Sequence, residues 1–130
     1  MGLSWVTLPA DYRQMPGAPA AGTELCRVDD IAEGAAKVFS FGGGKDLFEM
    51  FVLRRPEGLF GYVNDCPHAR SPLDWRPGEF LTLDKTLLLC TMHGARFTIE
   101  DGVCVLGPCL GDSLTKVPVE VNDGVITIAG

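Results

Sequence analysis

From Glu24 onward the chain is a succession of short apolar segments separated by polar and turn-forming residues: ELCRV, AKVFSF, LFEMFVLRR, LFGYVND, TLLLC, FTI, VCVL, VPVEV and VITI. β-Branched and aromatic residues dominate them, which is the composition of strands. The connections GGGKD, PEG, EDG and NDG supply residues that tolerate tight turns, so hairpins are the expected links. An antiparallel sandwich or small barrel is the architecture this spacing predicts. Helix has little room. The one candidate is a turn near DDIAEG, with Asp29 or Asp30 capping a short helical stretch that Gly34 ends. Residues 1–23 carry Pro9, Pro16 and Pro19 without a sustained period of either kind and read as an extended arm, leaving 24–130 as the folded domain.

The chain has 130 residues, 46% of them hydrophobic, which suits one globular domain with a single substantial core. A net charge of -6 gives no basic footprint for nucleic acid or an anionic membrane and favours a partner with a positive docking surface. No apolar run reaches the length of a membrane span, and the start MGLSWVTLPADYRQMPG lacks the pattern of an export signal. The adjacent Arg54 and Arg55 lie mid-chain, where they cannot act as a twin-arginine signal. A cytoplasmic location is therefore expected. Five cysteines, an odd number, in such a chain point to metal binding or reduced thiols before a disulfide framework.

Two of those cysteines stand beside the only two histidines, in CPHARSP (66–72) and CTMHGARF (90–97). Each pair follows an apolar strand and precedes a turn, so both belong to loops at strand ends. Pro67 and Pro72 stiffen the first loop, and Gly94 gives the second a backbone freedom that a side chain would penalise. One such pair alone reads as a buried thiol near a surface imidazole; two together read as four ligands, Cys66, His68, Cys90 and His93. Two thiolates and two imidazoles suit zinc or an iron-sulfur cluster. Zinc fingers usually group cysteines in one motif and histidines in the other, whereas here each loop contributes one of each, which suits two metal ions.

Cys-x-His followed by Cys-x-x-His resembles the signature of Rieske [2Fe-2S] proteins, and Cys66, His68, Cys90 and His93 match it position by position. The likeness extends from about residue 24 to the carboxyl terminus, through HGARF, Gly107-Pro108 and VPVEVNDGVITI. The resemblance implies an all-β, Rieske-like antiparallel sandwich or small barrel with a cluster-binding subdomain of two ligand loops. It implies that both cysteines bind the inner iron and both histidines the outer, with Pro108 on a third loop covering the cluster. Neutral imidazoles in place of two thiolates make the oxidised site less negative and raise its potential.

The function so implied is that of a soluble Rieske-type ferredoxin: a one-electron carrier taking electrons from a flavin-containing reductase to a terminal oxygenase, with no catalytic residue of its own. A separate redox subunit of an oxygenase or oxidoreductase complex is the alternative, since no histidine remains for a second, mononuclear iron. A structural zinc domain ranks below both, and a cluster-based sensor lacks a recognisable output element. Oligomeric state is left open. Cys26 and Cys104 fall in apolar strand patterns and read as inert core thiols; Cys109 reads as a free thiol, a reducing compartment weighing against a Cys104–Cys109 disulfide. GGG at 42–44 lacks the residues of a phosphate loop and reads as a hairpin turn. Asp65, Arg70, Asp74 and Arg76 form a polar set around the first loop that contacts a partner or, more simply, cross-links the loop. High-potential relatives carry an extra cysteine in each loop and two hydroxyl donors to sulfur. Here those positions hold Ser71, Met92, Ala95 and Phe97, which implies a low potential within the family range.

Overall fold

The uninterrupted apolar run MFVL (50–53) lies in the middle strand of a sheet covered on both faces, which is why it does not alternate with polar residues. The computed structural model describes residues 12–65, 73–74, 79–82, 84–90, 94–107, 110 and 112–129. Among these residues the strands are β1 (Glu24–Arg27), β2 (Ala36–Phe41), β3 (Phe48–Arg55), β4 (Gly58–Val63), β5 (Leu88–Leu89), β6 (Arg96–Phe97), β7 (Cys104–Leu106), β8 (Val119–Asn122) and β9 (Val125–Ile128). They form three antiparallel three-stranded sheets, ordered β1-β9-β8, β2-β3-β4 and β5-β6-β7.

Period-two alternation along β3 divides the interior into two cores. Phe51 and Leu53 point to one side and pack with Tyr62, Leu88, Phe97 and Cys104, so β5-β6-β7 covers that face. Phe48, Met50 and Val52 point to the other side and pack with Ile31, Val117, Ile126 and Ile128, under β1-β9-β8. The Phe51 ring stacks on Phe80 with centroids 4.0 Å apart, which ties the segment after the first Cys-His pair to the central strand.

The all-β antiparallel reading therefore stands, and the hairpins fall where the turn chemistry puts them. NDG joins β8 to β9 with Asp123 at φ 52° and Gly124 at φ 79°, the two left-handed residues of a type I′ turn. GGG at 42–44 lies in the β2–β3 connection. Three local expectations are corrected. The turn near DDIAEG is a 3-10 turn over Val28–Asp30, with the Asp30 carboxylate accepting the Arg27 N–H (3.0 Å); Gly34 does not end it but donates its own N–H to the Arg54 carbonyl. FTI is not a strand throughout: β6 stops at Phe97, and Ile99 is a buried turn residue whose carbonyl accepts the Tyr62 hydroxyl. TLLLC is regular only at Leu88–Leu89, because Thr86 and Leu87 are drawn into the turn by bonds to Asp84 and Thr82.

Of the arm, residues 12–23 are described. Tyr12 is buried with its ring 6.4 Å from that of Phe48, and the Ile128 N–H donates to the Thr23 carbonyl at 2.9 Å.

Candidate metal centre

Of the four predicted ligands, Cys90 falls among the described residues. Cys90 follows β5, is fully buried, and shares the first core with Leu73, Phe80, Ala95 and Phe97. Cys66, His68 and His93 fall outside the described residues, but both ends of each loop are described. The first leaves β4 at Asn64 and Asp65 and re-enters the core at Leu73; the second runs from Cys90 to Gly94 and Ala95. Leu73 and Cys90 belong to the same buried cluster, so the exit of the first loop and the start of the second are both anchored in the first core. Neither histidine is among the described residues, and among those residues no three His, Cys, Asp or Glu side chains gather in a metal-binding group.

The loops are closed by different means. In the second, the Cys90 N–H donates to the Ala95 carbonyl at 2.8 Å, so the main chain shuts the loop at its base. Gly94 sits at φ 71°, the left-handed conformation expected of it. In the first, the closing group is the side chain of Asn64, which is only 6% exposed. Its Oδ1 accepts the Leu73 N–H at 2.8 Å and its Nδ2 donates to Asp74 Oδ1 at 3.2 Å. Sequence reasoning singled out Asp74 but passed over Asn64. Its only mark in the sequence is a polar residue at the end of an apolar run. Asp74 does cross-link the first loop, while Arg70 and Arg76 lie outside the described residues.

A third loop meets the second. Gly107 has φ 107°, and a Cβ placed on it would stand 2.8 Å from the Ala95 Cα. This approach sets the backbone ahead of Pro108, itself outside the described residues, directly against the exit of the Cys90 loop. Beneath the loops, the Tyr62 hydroxyl donates to the Ile99 carbonyl, and Gly102 leaves space for its ring. Burial, with Asp101 and Glu100 adding to it, pushes the Tyr62 phenol well above its ordinary range, so it stays a neutral donor. Cys26 is remote from this arrangement. It packs half-buried in the second core, and desolvation raises its thiol pKa against the opposing pull of Lys37, as befits an unreactive thiol. Cys104 is buried, with its thiol donating to the Leu106 carbonyl at 3.4 Å; Cys109 lies outside the described residues.

Residues 22–121 match the family of Rieske [2Fe-2S] domains. The chain belongs to this family. No curated protein matches it in sequence. Among solved structures it is similar to the ferredoxin of carbazole 1,9a-dioxygenase from Nocardioides aromaticivorans IC177, at 22% identity and TM-score 0.67 over 85% of this chain and 98% of that one. It is similar also to a chain in a complex of reduced oxygenase and oxidized ferredoxin in carbazole 1,9a-dioxygenase, at 23% identity and TM-score 0.69 over 86% of this chain and 95% of that one. The terminal oxygenase from the same Nocardioides strain gives 19% identity and TM-score 0.68 over 88% of this chain, which spans 30% of that longer one. At these identities the likeness shows a shared Rieske fold.

The residues present suit the cluster that this family carries. Cys90 offers a fully buried thiol in the core that also holds Leu73, Ala95 and Phe97, as a thiolate buried against an iron requires. The remaining predicted ligands are Cys66, His68 and His93, in two sequence motifs whose described flanks, Leu73 and Ala95, end in this core.

Proposed function

We propose that this protein is a one-electron carrier that passes electrons from a flavin-containing reductase to a terminal oxygenase. The observation that carries the reading is the family match across residues 22–121, which encloses a complete Cys-x-His and Cys-x-x-His set. Cys66 and Cys90 hold the inner iron in this reading, and His68 and His93 the outer. When bound, a [2Fe-2S] cluster with this ligation accepts and returns a single electron at a higher potential than an all-cysteine one. The chain's own part is to hold that group rigidly and dry. Cys90 is sealed from water by its core neighbours, the Asn64 amide and the Cys90–Ala95 bond fix the two loops, and the neutral imidazoles of His68 and His93 form the exit toward a partner. Both histidines are used in this way, so none is left to hold a catalytic iron.

The terminal oxygenase as acceptor is supported by the likeness to ferredoxin chains whose systems include one. The net charge of -6 suits a partner with a positive docking face. Among the described residues no helix is long and apolar enough to cross a membrane, and a cytoplasmic carrier with an arm over 1–23 and a cluster domain over 24–130 is our reading. A second reading, a redox module within an oxygenase assembly, draws on the likeness to the terminal oxygenase chain.

The test is anaerobic purification, reduction by a flavin reductase, and electron paramagnetic resonance of the product. A red-brown protein with a Rieske signal that is reoxidised by a terminal oxygenase supports the carrier reading. A colourless zinc protein rejects it, and a cluster protein that such a reductase cannot reduce rejects the donor.

A further inference from the structure

We propose that Asn64 is a positioning residue for the cluster, holding the first ligand loop shut through its side-chain amide; the inference rests on Cys66 and His68 being ligands. Asn64 is itself anchored, since its N–H donates to the Glu49 carbonyl of β3 at 2.9 Å and so extends the sheet one residue past β4. From that fixed point the amide crosses the neck of the loop. It accepts the N–H of Leu73, a residue with no exposed surface, and donates to the Asp74 carboxylate.

Both halves of the amide are needed. A buried N–H without an acceptor carries its full desolvation cost, so the Leu73 bond cannot be dropped cheaply. Asp74 offers a carboxylate, which only a donor can meet. An aspartate at 64 keeps the acceptor for Leu73 but sets two carboxylates face to face. An alanine keeps neither bond. The second loop needs no such device, because the Cys90 N–H and Ala95 carbonyl close it with main-chain atoms. Among the described residues it is the Asn64 side chain that spans the neck of the first loop, and the hold on Cys66 and His68 depends on it.

The swap of the two groups separates positioning from bulk stability. In Asn64→Asp with Asp74→Asn, the carboxylate at 64 still accepts the Leu73 N–H and now also accepts from the amide at 74. We compare the holo-protein with Asn64→Asp, Asn64→Ala, Asp74→Asn and the double variant. The readouts are iron release to a ferrous chelator under anaerobic conditions, the g-values of the reduced cluster, and amide exchange of Ile126 and Ile128 in the opposite core.

Asn64→Asp and Asn64→Ala are expected to release iron about tenfold faster or more, the scale of one buried bond left unmade. Asp74→Asn, which leaves the Leu73 bond and a partner for the amide, is expected to stay near the wild-type rate. The double variant is expected to return close to Asp74→Asn in both rate and g-values, with β9 exchange unchanged throughout. A double variant as fast as Asn64→Asp, or wild-type release from both Asn64 variants, overturns the proposal while leaving the ligand assignment standing. Wild-type protein that binds no [2Fe-2S] cluster overturns the ligand assignment and the proposal together.

Discussion

Gly107 and Ala95 are in backbone contact: a Cβ on Gly107 would come within 2.8 Å of the Ala95 Cα and 3.3 Å of its Cβ. Two demands meet at this glycine, the close approach and a φ of 107°. Gly107→Ala must then move the third loop off the second or distort one of them, at a cost of about 2–3 kcal/mol. Gly34→Ala serves as the control, because Gly34 has φ 85° but open space around its Cβ position, so only the conformational cost of roughly 1 kcal/mol applies there. Urea unfolding of the two variants gives the comparison. The faster chelator attack expected for Gly107→Ala alone locates the damage at the loops.

What could be read in the sequence follows from how local the cause is. The strands β2, β3 and β4 were legible because both core faces impose their pattern directly on AKVFSF, LFEMFVLRR and LFGYV. Ile99 misled because it is buried in the first core through contacts distant in sequence while its own backbone turns, and an apolar residue so covered looks like strand when it is turn. The family was legible from the type and spacing of Cys66, His68, Cys90 and His93. Asn64 was not, since its importance lies in reaching Leu73 and Asp74 across the loop, and nothing in the linear pattern distinguishes that from an ordinary strand-ending polar residue.

Removal of a ligand is expected to abolish the cluster without unfolding the sheets. His68→Ala and His93→Ala should each lose the reduced-state Rieske resonance while circular dichroism of the strands persists, because the cores are built from β3, β4 and their covering sheets. Cys26→Ser should keep the resonance, as Cys26 belongs to the core on the opposite face. An unchanged signal in either histidine variant removes that residue from the ligand set, and a lost signal in folded Cys26→Ser protein contradicts its structural role.

The turn between Leu81 and Leu88 is expected to loosen in acid. Asp84 Oδ1 accepts from Thr82 Oγ1 (2.6 Å), Thr86 Oγ1 (2.7 Å) and the Thr86 N–H (3.1 Å). These bonds, the Thr82 hydroxyl first, lower its pKa from 3.8 to about 2. The folded value lies below the unfolded one, so the carboxylate supports the turn above pH 3.8 and that support is lost as pH falls through about 2. The Thr86 amide resonance, followed by nuclear magnetic resonance of the oxidised holo-protein, should titrate across this window. Asp84→Asn should abolish that titration, and persistence of the titration would assign it to another group.

The redox potential depends on what surrounds the sulfurs, and the described part of that surround is apolar. Ala95 and Phe97 are both buried in the core that holds Cys90, and neither side chain carries a hydrogen-bond donor. Ser71 and Met92, the other positions that differ from high-potential relatives, lie outside the described residues. Without hydroxyl donors at positions 95 and 97 the more negative reduced state gains no stabilisation from these two side chains, and the potential is expected in the lower part of the family range, roughly -150 to 0 mV. One hydroxyl donated to sulfur favours the reduced state by about 1 kcal/mol, which for a single electron is roughly 40 mV. Ala95→Ser and Phe97→Tyr should therefore each raise the potential by about that amount, measured by voltammetry at neutral pH. Phe97→Tyr is the more demanding test, because its ring is fully buried and a new hydroxyl that misses the sulfur would cost stability with no gain in potential. A wild-type value above about +150 mV would rule out a low-potential carrier reduced by a flavin.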